Sequence, residues 1–268
     1  MSNSAPLLID ETNLSYAWCR AFLHIIDHRG NEVSPLIISL TGFNQGIPNE
    51  DQSIRDALDN CLKNNSEQSI HTVANTIFPG SLWRNSKYDR QRFFKTYIDT
   101  LPRIKALAKS KNRRGLYFER LIAFGSESHN FNQLEHIISE YTSRSNVRKS
   151  MLQASIFDPA QDHVCDPYLP FPCLQHVSFV PNNEDKTLVI NAFYATQQLI
   201  NKAYGNYLGL CRLGHFMAHE MGLTLDRMNC FVGVEKLQKI GTKKIGKTSS
   251  ILTPVIDAAR NTTSKWQT

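Results

Sequence analysis

The chain has 268 residues, of which 41% are hydrophobic and 20% are charged, a balance typical of globular proteins and unlike that of disordered chains. No run of about 18 apolar residues occurs, and the N-terminal segment MSNSAPLLIDETN lacks the regions of a secretory signal, so we expect a cytoplasmic protein without a membrane partner. The net charge of +6 permits an anionic partner such as a nucleotide or RNA.

The first half of the chain is predicted to be mainly helical. Residues 12–28 place apolar side chains three and four positions apart, which indicates an amphipathic helix, and PLIISLTGF at 35–43 is typical of a strand. Further helices are predicted at 51–63, 86–109 and 131–143.

The second half changes to strand patterns around one long helix. Strands are predicted at 150–157, 174–180 and 187–195, and the polar loop PNNEDK indicates a hairpin between the last two. They are followed by a buried helix at 197–223, a strand at 228–237 and a loose basic end from Lys236. This order predicts an α+β fold, with helices packed on a mixed β-sheet, in one domain spanning residues 1–268.

Six cysteines are scattered through the chain without a Cys-x-x-Cys pair, which argues against a zinc ribbon and against a disulfide framework. They are Cys19, Cys61, Cys165, Cys173, Cys211 and Cys230. We expect most of them to be reduced and buried.

The pattern Gly-x-x-x-x-Gly-Lys-Thr occurs at 241–248 and by itself indicates a phosphate-binding P-loop. A P-loop needs a following helix and further parallel strands that carry the magnesium carboxylate. The remaining segment is short and contains Pro254. We therefore favour a basic surface tail over a nucleoside-triphosphate site.

Two groups of residues have side chains that can bind metals. His215 and His219 are four positions apart on the predicted long helix, beside Glu220, but no third ligand is near in sequence. The second group is Asp162, His163, Cys165 and Asp166. It lacks metal-ligand spacing, and a polar loop explains it. We favour packed helical histidines for the first group and expect no metal.

The densest basic segment spans residues 103–120 and includes Tyr117 and Phe118. Its basic residues are Arg103, Lys105, Lys109, Lys111, Arg113, Arg114 and Arg120. RNA binding uses such positive segments together with aromatic rings that stack on bases. A solvated helix face is the commoner explanation, and RNA remains a candidate partner.

Cys173 follows a proline and precedes an apolar run in PFPCLQHVSFV at 170–180. A nucleophilic thiolate needs nearby cations or a helix N-terminus, neither of which the sequence reveals. Free cysteine is also among the most buried residue types. Taken alone, Cys173 is therefore better interpreted as structural.

Several segments nevertheless occur in the order and spacing of one family's motifs. They are GLYFERL at 115–121, NQL at 132–134, RKSMLQASI at 148–156, LPFPCLQHVSFV at 169–180 and MAHEMGL at 217–223. These segments resemble, in turn, the Tyr-Gly…Trp-Arg, Asp-Gln-Leu, Arg-Arg, Pro-Cys-His…Gln-Phe and Met-Ala-Gln…Gly-Leu motifs of the thymidylate synthase family, which includes the pyrimidine-nucleotide hydroxymethylases. The resemblance is strongest over 115–223 and implies a thymidylate synthase-like fold and a sheet-mediated homodimer, with divergent N-terminal and C-terminal parts.

The resemblance also implies a reaction. The Cys173 thiolate would add to C6 of a uracil-like ring, and C5 would then take a one-carbon unit from methylenetetrahydrofolate, the candidate cofactor. Asn206 falls in register with the family's asparagine, whose amide fits O4 and N3–H of uracil. Arg148 and Lys149 stand at the paired arginines that reach the neighbouring subunit's nucleotide phosphate. The remaining substrate-binding candidates are Tyr117, Ser178 and Gln198.

Other positions depart from the family pattern. Ala195 replaces an arginine that binds phosphate and stabilises the thiolate. The family has a histidine at the position of Leu174 and a glutamine at that of Ser178. It has the aspartate that helps hold folate at the position of Gln198, and its two ribose contacts correspond to Lys236 and Gln238. These departures argue against standard thymidylate synthesis.

Two functions therefore remain. The first is an enzyme that transfers a one-carbon unit to C5 of a uracil-like nucleotide or a related substrate through Cys173. The alternative is a catalytically reduced protein with the same fold that binds a nucleotide, or RNA through residues 103–120. We favour the enzyme.

Overall fold

The computed structural model describes residues 5–28, 30–112, 115–125, 131–165, 172–237 and 249–263. The strands are β1 (Leu7–Glu11), β2 (Glu32–Val33), β3 (Leu36–Leu40), β4 (Phe43–Asn44), β5 (Ile47–Pro48), β6 (Gln153–Ser155), β7 (Leu174–Asn182), β8 (Thr187–Tyr194), β9 (Gln197–Gln198), β10 (Thr224–Val232) and β11 (Glu235–Lys236). The α-helices are α1 (Leu14–Asp27), α2 (Gln52–Asn64), α3 (Ile70–Ile77), α4 (Gly80–Asn85), α5 (Arg90–Leu107), α6 (Lys109–Asn112), α7 (Tyr117–Ile122), α8 (Gln133–Ser143), α9 (Pro159–Asp162), α10 (Tyr204–Glu220) and α11 (Thr253–Thr263). A 3-10 turn at Lys149–Met151 and a π-helical turn at Leu199–Ala203 complete the described elements.

A mixed six-stranded sheet is the framework of the described structure. Its strand order is β1-β3-β10-β8-β7-β6; the β1–β3 and β8–β10 pairs are parallel and the other pairs antiparallel. α1 packs beside β1 and β3, and α10 packs beside β8 and β10. The α+β prediction, with helices packed on a mixed sheet, is therefore confirmed.

Helix α10 is buried along most of its length because glycines let its neighbours approach. A Cβ atom on Gly205 would lie 2.6 Å from the Cβ of Val73 in α3, and one on Gly214 would lie 2.8 Å from a methyl group of Leu225 in β10. α10 thus lies between α3 and the sheet. This position fixes the start of α10, where Asn206 lies.

Several predicted elements are confirmed with small changes at their ends. The helix predicted at 12–28 is α1, which Asn13 caps by accepting hydrogen bonds from the N–H groups of Ser15 and Tyr16. The predicted hairpin is the antiparallel β7–β8 pair. The long helix predicted from residue 197 instead begins as strand β9 and the π-helical turn.

The prediction of a loose C-terminal end is wrong for the part that the structure describes. Residues 253–263 form α11, which packs against α1 and α2 and buries Val255 and Ala259, and the preceding Leu252 is also buried. The P-loop-like pattern at 241–248 lies outside the described residues, as do Arg113, Arg114, Asp166 and Gln238.

The second face of the sheet, which we call the open face, carries partly exposed apolar side chains. Leu8, Ile37, Phe231 and Phe193 are register neighbours on β1, β3, β10 and β8 and form a row across the sheet. Leu8 is 61% exposed, Phe231 39% and Phe193 38%. The two phenylalanine rings stack with their centroids 5.5 Å apart.

A search of the described helices for candidate membrane spans found none with the necessary length and apolar character.

Candidate functional site

Cys173 lies immediately before β7 and is half-buried. Its carbonyl oxygen accepts a hydrogen bond from the Ala195 N–H at 3.0 Å, which ties it to the end of β8. Burial raises the pKa of the Tyr117 hydroxyl, and hydrogen bonds that its oxygen accepts from the backbone of Leu174 and Cys173 lower it. The thiol therefore sits on a backbone segment that is held from two sides.

The environment of the Cys173 thiol acts on its pKa in two directions. Burial raises the pKa, and the ammonium group of Lys202 lowers it. The Nζ atom of Lys202 also donates a hydrogen bond to Gln68 Oε1 at 2.6 Å. Lys202 thus supplies a cation near the thiol, although Ala195 stands where the family has its arginine.

Lys202 is a residue that the sequence reasoning missed. The asparagine that Asn206 resembles ends a Gly-x-Pro-x-Asn motif in the thymidylate synthase family. Lys202 stands four positions before Asn206, where that motif has its glycine, so no motif pointed to it. Only the fold, which places the π-helical turn near Cys173, reveals the charge.

Asn206 is buried near the start of α10, with 4% of its surface exposed. Its side-chain amide makes no hydrogen bond with the residues that the structure describes. The oxygen and nitrogen atoms of this amide are nevertheless not fully sealed from solvent. Buried amides are normally hydrogen-bonded, so this one is available to a ligand. Because Asn206 follows Lys202 by one helical turn, both residues lie on the same side of this helical segment.

The other predicted substrate residues occupy different places. Arg148 and Lys149 are exposed at the turn before β6, at the edge of the sheet. Ser178 lies on the open face, where the amide of Asn191 donates to its Oγ atom at 3.4 Å. Gln198 is half-buried in β9. Of these candidates, Tyr117 alone is seen in contact with the Cys173 segment.

A buried polar cluster near Cys173 was also missed. Glu235 is fully buried, and Tyr207 donates its hydroxyl to Glu235 Oε2 at 3.4 Å. Burial raises the pKa of Glu235 well above its usual range. The second Glu235 oxygen, the amide of Gln197 and the hydroxyl of Tyr194 are buried without a hydrogen-bond partner among the described residues. The lone carboxyl group in an otherwise apolar predicted strand was a signal that could have identified this cluster.

Asp162 belongs to a buried ion pair, which corrects its interpretation as part of a polar loop. Its carboxylate binds the guanidinium group of Arg120 through two contacts, of 2.5 and 2.9 Å, and Arg120 also donates to the Ile156 carbonyl at 2.8 Å. Gln133, from the NQL motif, donates to the carbonyls of Arg120 and Ser155. Around the pair lies a cavity of about 360 Å³ with polar walls. The pair braces α7 against the segment that contains α9.

The described part of the basic segment is poorly suited to RNA. Lys105 is paired with Glu119 at 2.5 Å, and Arg120 is paired with Asp162. Phe118 is fully buried, so it cannot stack on a base. Arg103 and Lys109 remain exposed in this segment.

The two helical histidines belong to aromatic packing. The rings of His215 and His219 have their centroids 5.6 and 5.3 Å from that of Trp83. Burial lowers the pKa of His215. Within the described ranges, no group of three or more His, Cys, Asp or Glu residues is placed to hold a metal ion.

Neither a protein-family model nor a curated protein matches this chain. The sequence motifs and the geometry around Cys173 and Asn206 are therefore the basis of the function proposed below.

Proposed function

We propose that the chain is a divergent thymidylate synthase-like enzyme that transfers a one-carbon unit to C5 of a uracil-like pyrimidine nucleotide or a related substrate. The observation that carries this proposal is the buried Asn206 amide, which has no hydrogen-bond partner among the described residues and lies one turn beyond the lysine that acts on the Cys173 thiol. C5 alkylation needs both groups: a nucleophile for C6, and a donor and acceptor for the edge of the ring.

The chemistry begins when Cys173 loses its proton and its sulfur forms a bond to C6. The C5=C6 electron pair then moves toward O4 as an enolate, and the Asn206 amide donates to O4 and accepts from N3–H. C5 attacks a one-carbon electrophile at the oxidation level of formaldehyde. Loss of the C5 proton and departure of the thiolate restore the ring. These reaction steps balance in atoms and electrons for a hydroxymethyl product, whereas a methyl product also requires a hydride donor.

The described residues do not reproduce the family's folate contacts. Gln198 presents a neutral amide where the family has an aspartate. The segment VANTIFPGSLW at 73–83, which only vaguely resembles the family's Glu-Leu-Leu-Trp motif, contains no carboxylate. Methylenetetrahydrofolate is therefore a candidate cofactor by resemblance only. The reaction steps require a one-carbon electrophile at the oxidation level of formaldehyde, whatever its source.

The open face of the sheet fits a second copy of this chain, as the resemblance implies. Its apolar row of Leu8, Ile37, Phe231 and Phe193 is flanked by a polar row in which Asn229 donates to Asn191 at 2.9 Å. Exposed apolar patches rimmed by polar groups mark interfaces, and a twofold contact brings the same patch of each copy together. In such a dimer, the exposed Arg148 and Lys149 at the edge of this sheet would contact a phosphate bound by the partner, as the resemblance implies.

The substitution Phe231→Asp tests the dimer. It places a charge at the centre of the apolar row, so we expect light scattering to report a dimer for the wild type and a monomer for the variant. Leu107→Asp is the matched control, because Leu107 is 81% exposed on α5, outside the open face, and its variant should remain dimeric. A wild-type monomer would contradict the proposed assembly.

The reaction is tested with 5-fluoropyrimidine nucleotides, in which fluorine blocks loss of the C5 proton and traps the covalent adduct. Uracil and cytosine forms are incubated with the protein and methylenetetrahydrofolate or formaldehyde, and the adduct is mapped by mass spectrometry. We expect an adduct on Cys173 that is absent from Cys173→Ser, weakened in Asn206→Ala and retained in Cys165→Ser, which alters an exposed cysteine. No adduct with either base would count decisively against the enzyme.

The alternative is a catalytically reduced protein of this fold that binds a nucleotide or RNA. The observation that favours it is the raised pKa of Cys173. Burial raises this pKa by more than the charge of Lys202 lowers it, which disfavours the reactive thiolate. A thermal-shift screen separates the two functions: nucleotide stabilisation that survives Cys173→Ser, without turnover, indicates binding alone. Stabilisation by RNA and by no nucleotide would favour RNA as the partner.

A further inference from the structure

Two arginines from different helices, Arg84 of α4 and Arg212 of α10, lie close together beside Gly80. A Cβ atom built on Gly80 would lie 3.8 Å from both the Cδ atom of Arg212 in α10 and the Nη1 atom of Arg84 in α4. The two side chains therefore border the same space. Arg84 is exposed and Arg212 is half-buried, so the space is reached from solvent.

Neither arginine has a carboxylate partner within the described chain. Arg212 donates to the amide oxygen of Asn75 at 3.4 Å and lies 3.0 Å from the Nδ1 atom of His71. Arg84 donates to the Ser81 hydroxyl at 3.3 Å. These partners are neutral, whereas half-buried charges in proteins are normally balanced by an opposite charge.

The surrounding charges do not neutralise the two arginines. Arg55 of α2 also faces this region, but it is paired with Glu50 and Asp59. Burial and then the guanidinium groups of Arg55 and Arg84 lower the pKa of Arg212, while Glu50 opposes them. These electrostatic effects show a cluster in which positive charge is in excess.

The same field acts on His71. Burial and then Arg212, Arg55 and Arg84 lower the pKa of His71, and Asp59 has a weaker opposing effect. The imidazole ring therefore reports the local charge on the cluster, since an anion bound there would favour its protonated form.

We propose that Arg84 and Arg212, with His71 at their side, form a binding site for a phosphate group. A phosphate monoester carries about −1.5 to −2 charges near neutral pH, which matches the charge of two neighbouring guanidinium groups. Arginine also binds phosphate oxygens through paired hydrogen bonds, which adds directional preference. The site uses none of the residues assigned to the pyrimidine reaction, so it stands independently of that reaction.

The experiment follows the NMR titration of His71 with inorganic phosphate, with a nucleoside monophosphate, and with chloride at matched ionic strength. Phosphate is expected to bind saturably and to shift the His71 titration to higher pH, whereas chloride leaves it unchanged. In Arg212→Gln the His71 pKa of the anion-free protein should rise, because a cation is lost, and phosphate should no longer shift it. Arg84→Gln, at an exposed position, keeps the test informative if Arg212→Gln does not fold.

Arg92→Gln is the matched control, because Arg92 is an exposed arginine on α5 outside the cluster. It should retain the phosphate response of the wild type. A response to the monophosphate but not to inorganic phosphate would assign the site to a phosphorylated small molecule, and equal responses would assign it to the phosphate group alone. No shift of the His71 titration with either anion, or an equal shift in Arg84→Gln, would overturn the proposal.

Discussion

Replacing Gly205 with alanine tests the contact between α3 and α10 that places Asn206. The new Cβ would lie 2.6 Å from Val73 Cβ and 2.8 Å from the Ile70 carbonyl oxygen. Neither atom can swing aside, because one belongs to a β-branched helical residue and the other to the backbone. Overpacking costs about 1–3 kcal/mol, and alanine recovers about 0.5–1 kcal/mol over glycine within a helix, so we expect a net loss of up to about 2.5 kcal/mol.

Urea unfolding followed by circular dichroism measures this loss as a lower midpoint with an unchanged slope. The matched control is Gly80→Ala, also in a helix, whose Cβ would meet its nearest neighbours at 3.8 Å, an ordinary contact distance. We expect the control to be neutral or stabilised by up to about 1 kcal/mol. If Gly205→Ala is as stable as the control, α3 and α10 are not as close as described and the reasoning is refuted.

The buried ion pair, the lysine near the thiol and the buried carboxyl group give further predictions. Asp162→Ala removes the carboxylate that binds the buried Arg120 guanidinium through two contacts, so we expect a loss of about 3–5 kcal/mol in urea unfolding; a loss below about 1 kcal/mol would show that water already solvates the pair. Lys202→Met removes the ammonium group that lowers the Cys173 pKa, so alkylation by iodoacetamide should require higher pH, and an unchanged pH profile would place the lysine out of reach. Glu235 stays protonated in the folded protein and ionises in the unfolded chain above about pH 4.5, so stability should fall as pH rises from there toward the folded-state pKa. Glu235→Gln should lack this decline when unfolding is measured across the same pH series, and parallel curves for the two proteins would contradict the buried, protonated carboxyl group.

The larger elements of the fold could be predicted from periodicity because each has one strongly apolar face. α1 and the β7–β8 hairpin are examples, and in the hairpin a polar loop separates two alternating runs. β1 was not predicted, since this five-residue edge strand leaves Leu8 exposed and has too short a pattern. α11 was missed because its apolar residues lie in a Ser/Thr-rich segment and become a face only against α1 and α2.

The candidate site could be predicted only in part. Cys173 and Asn206 were found because each lies in a motif whose order and spacing resemble those of a family. Lys202 and Glu235 were not, since the first acts on Cys173 through the fold and the second is buried by the pairing of β11 with β9 and β2. Lys202 carries no local pattern because it acts on Cys173 from a distant part of the sequence, and its charge lowers the pKa of the thiol.

The most direct measurement of the central claim is a crystal structure of the protein treated with a 5-fluoropyrimidine nucleotide. The account predicts continuous density between the Cys173 sulfur and C6, with the Asn206 amide at O4 and N3 of the same ring. A nucleotide bound elsewhere, or a thiol and an amide that face separate compartments with no ring between them, would contradict it.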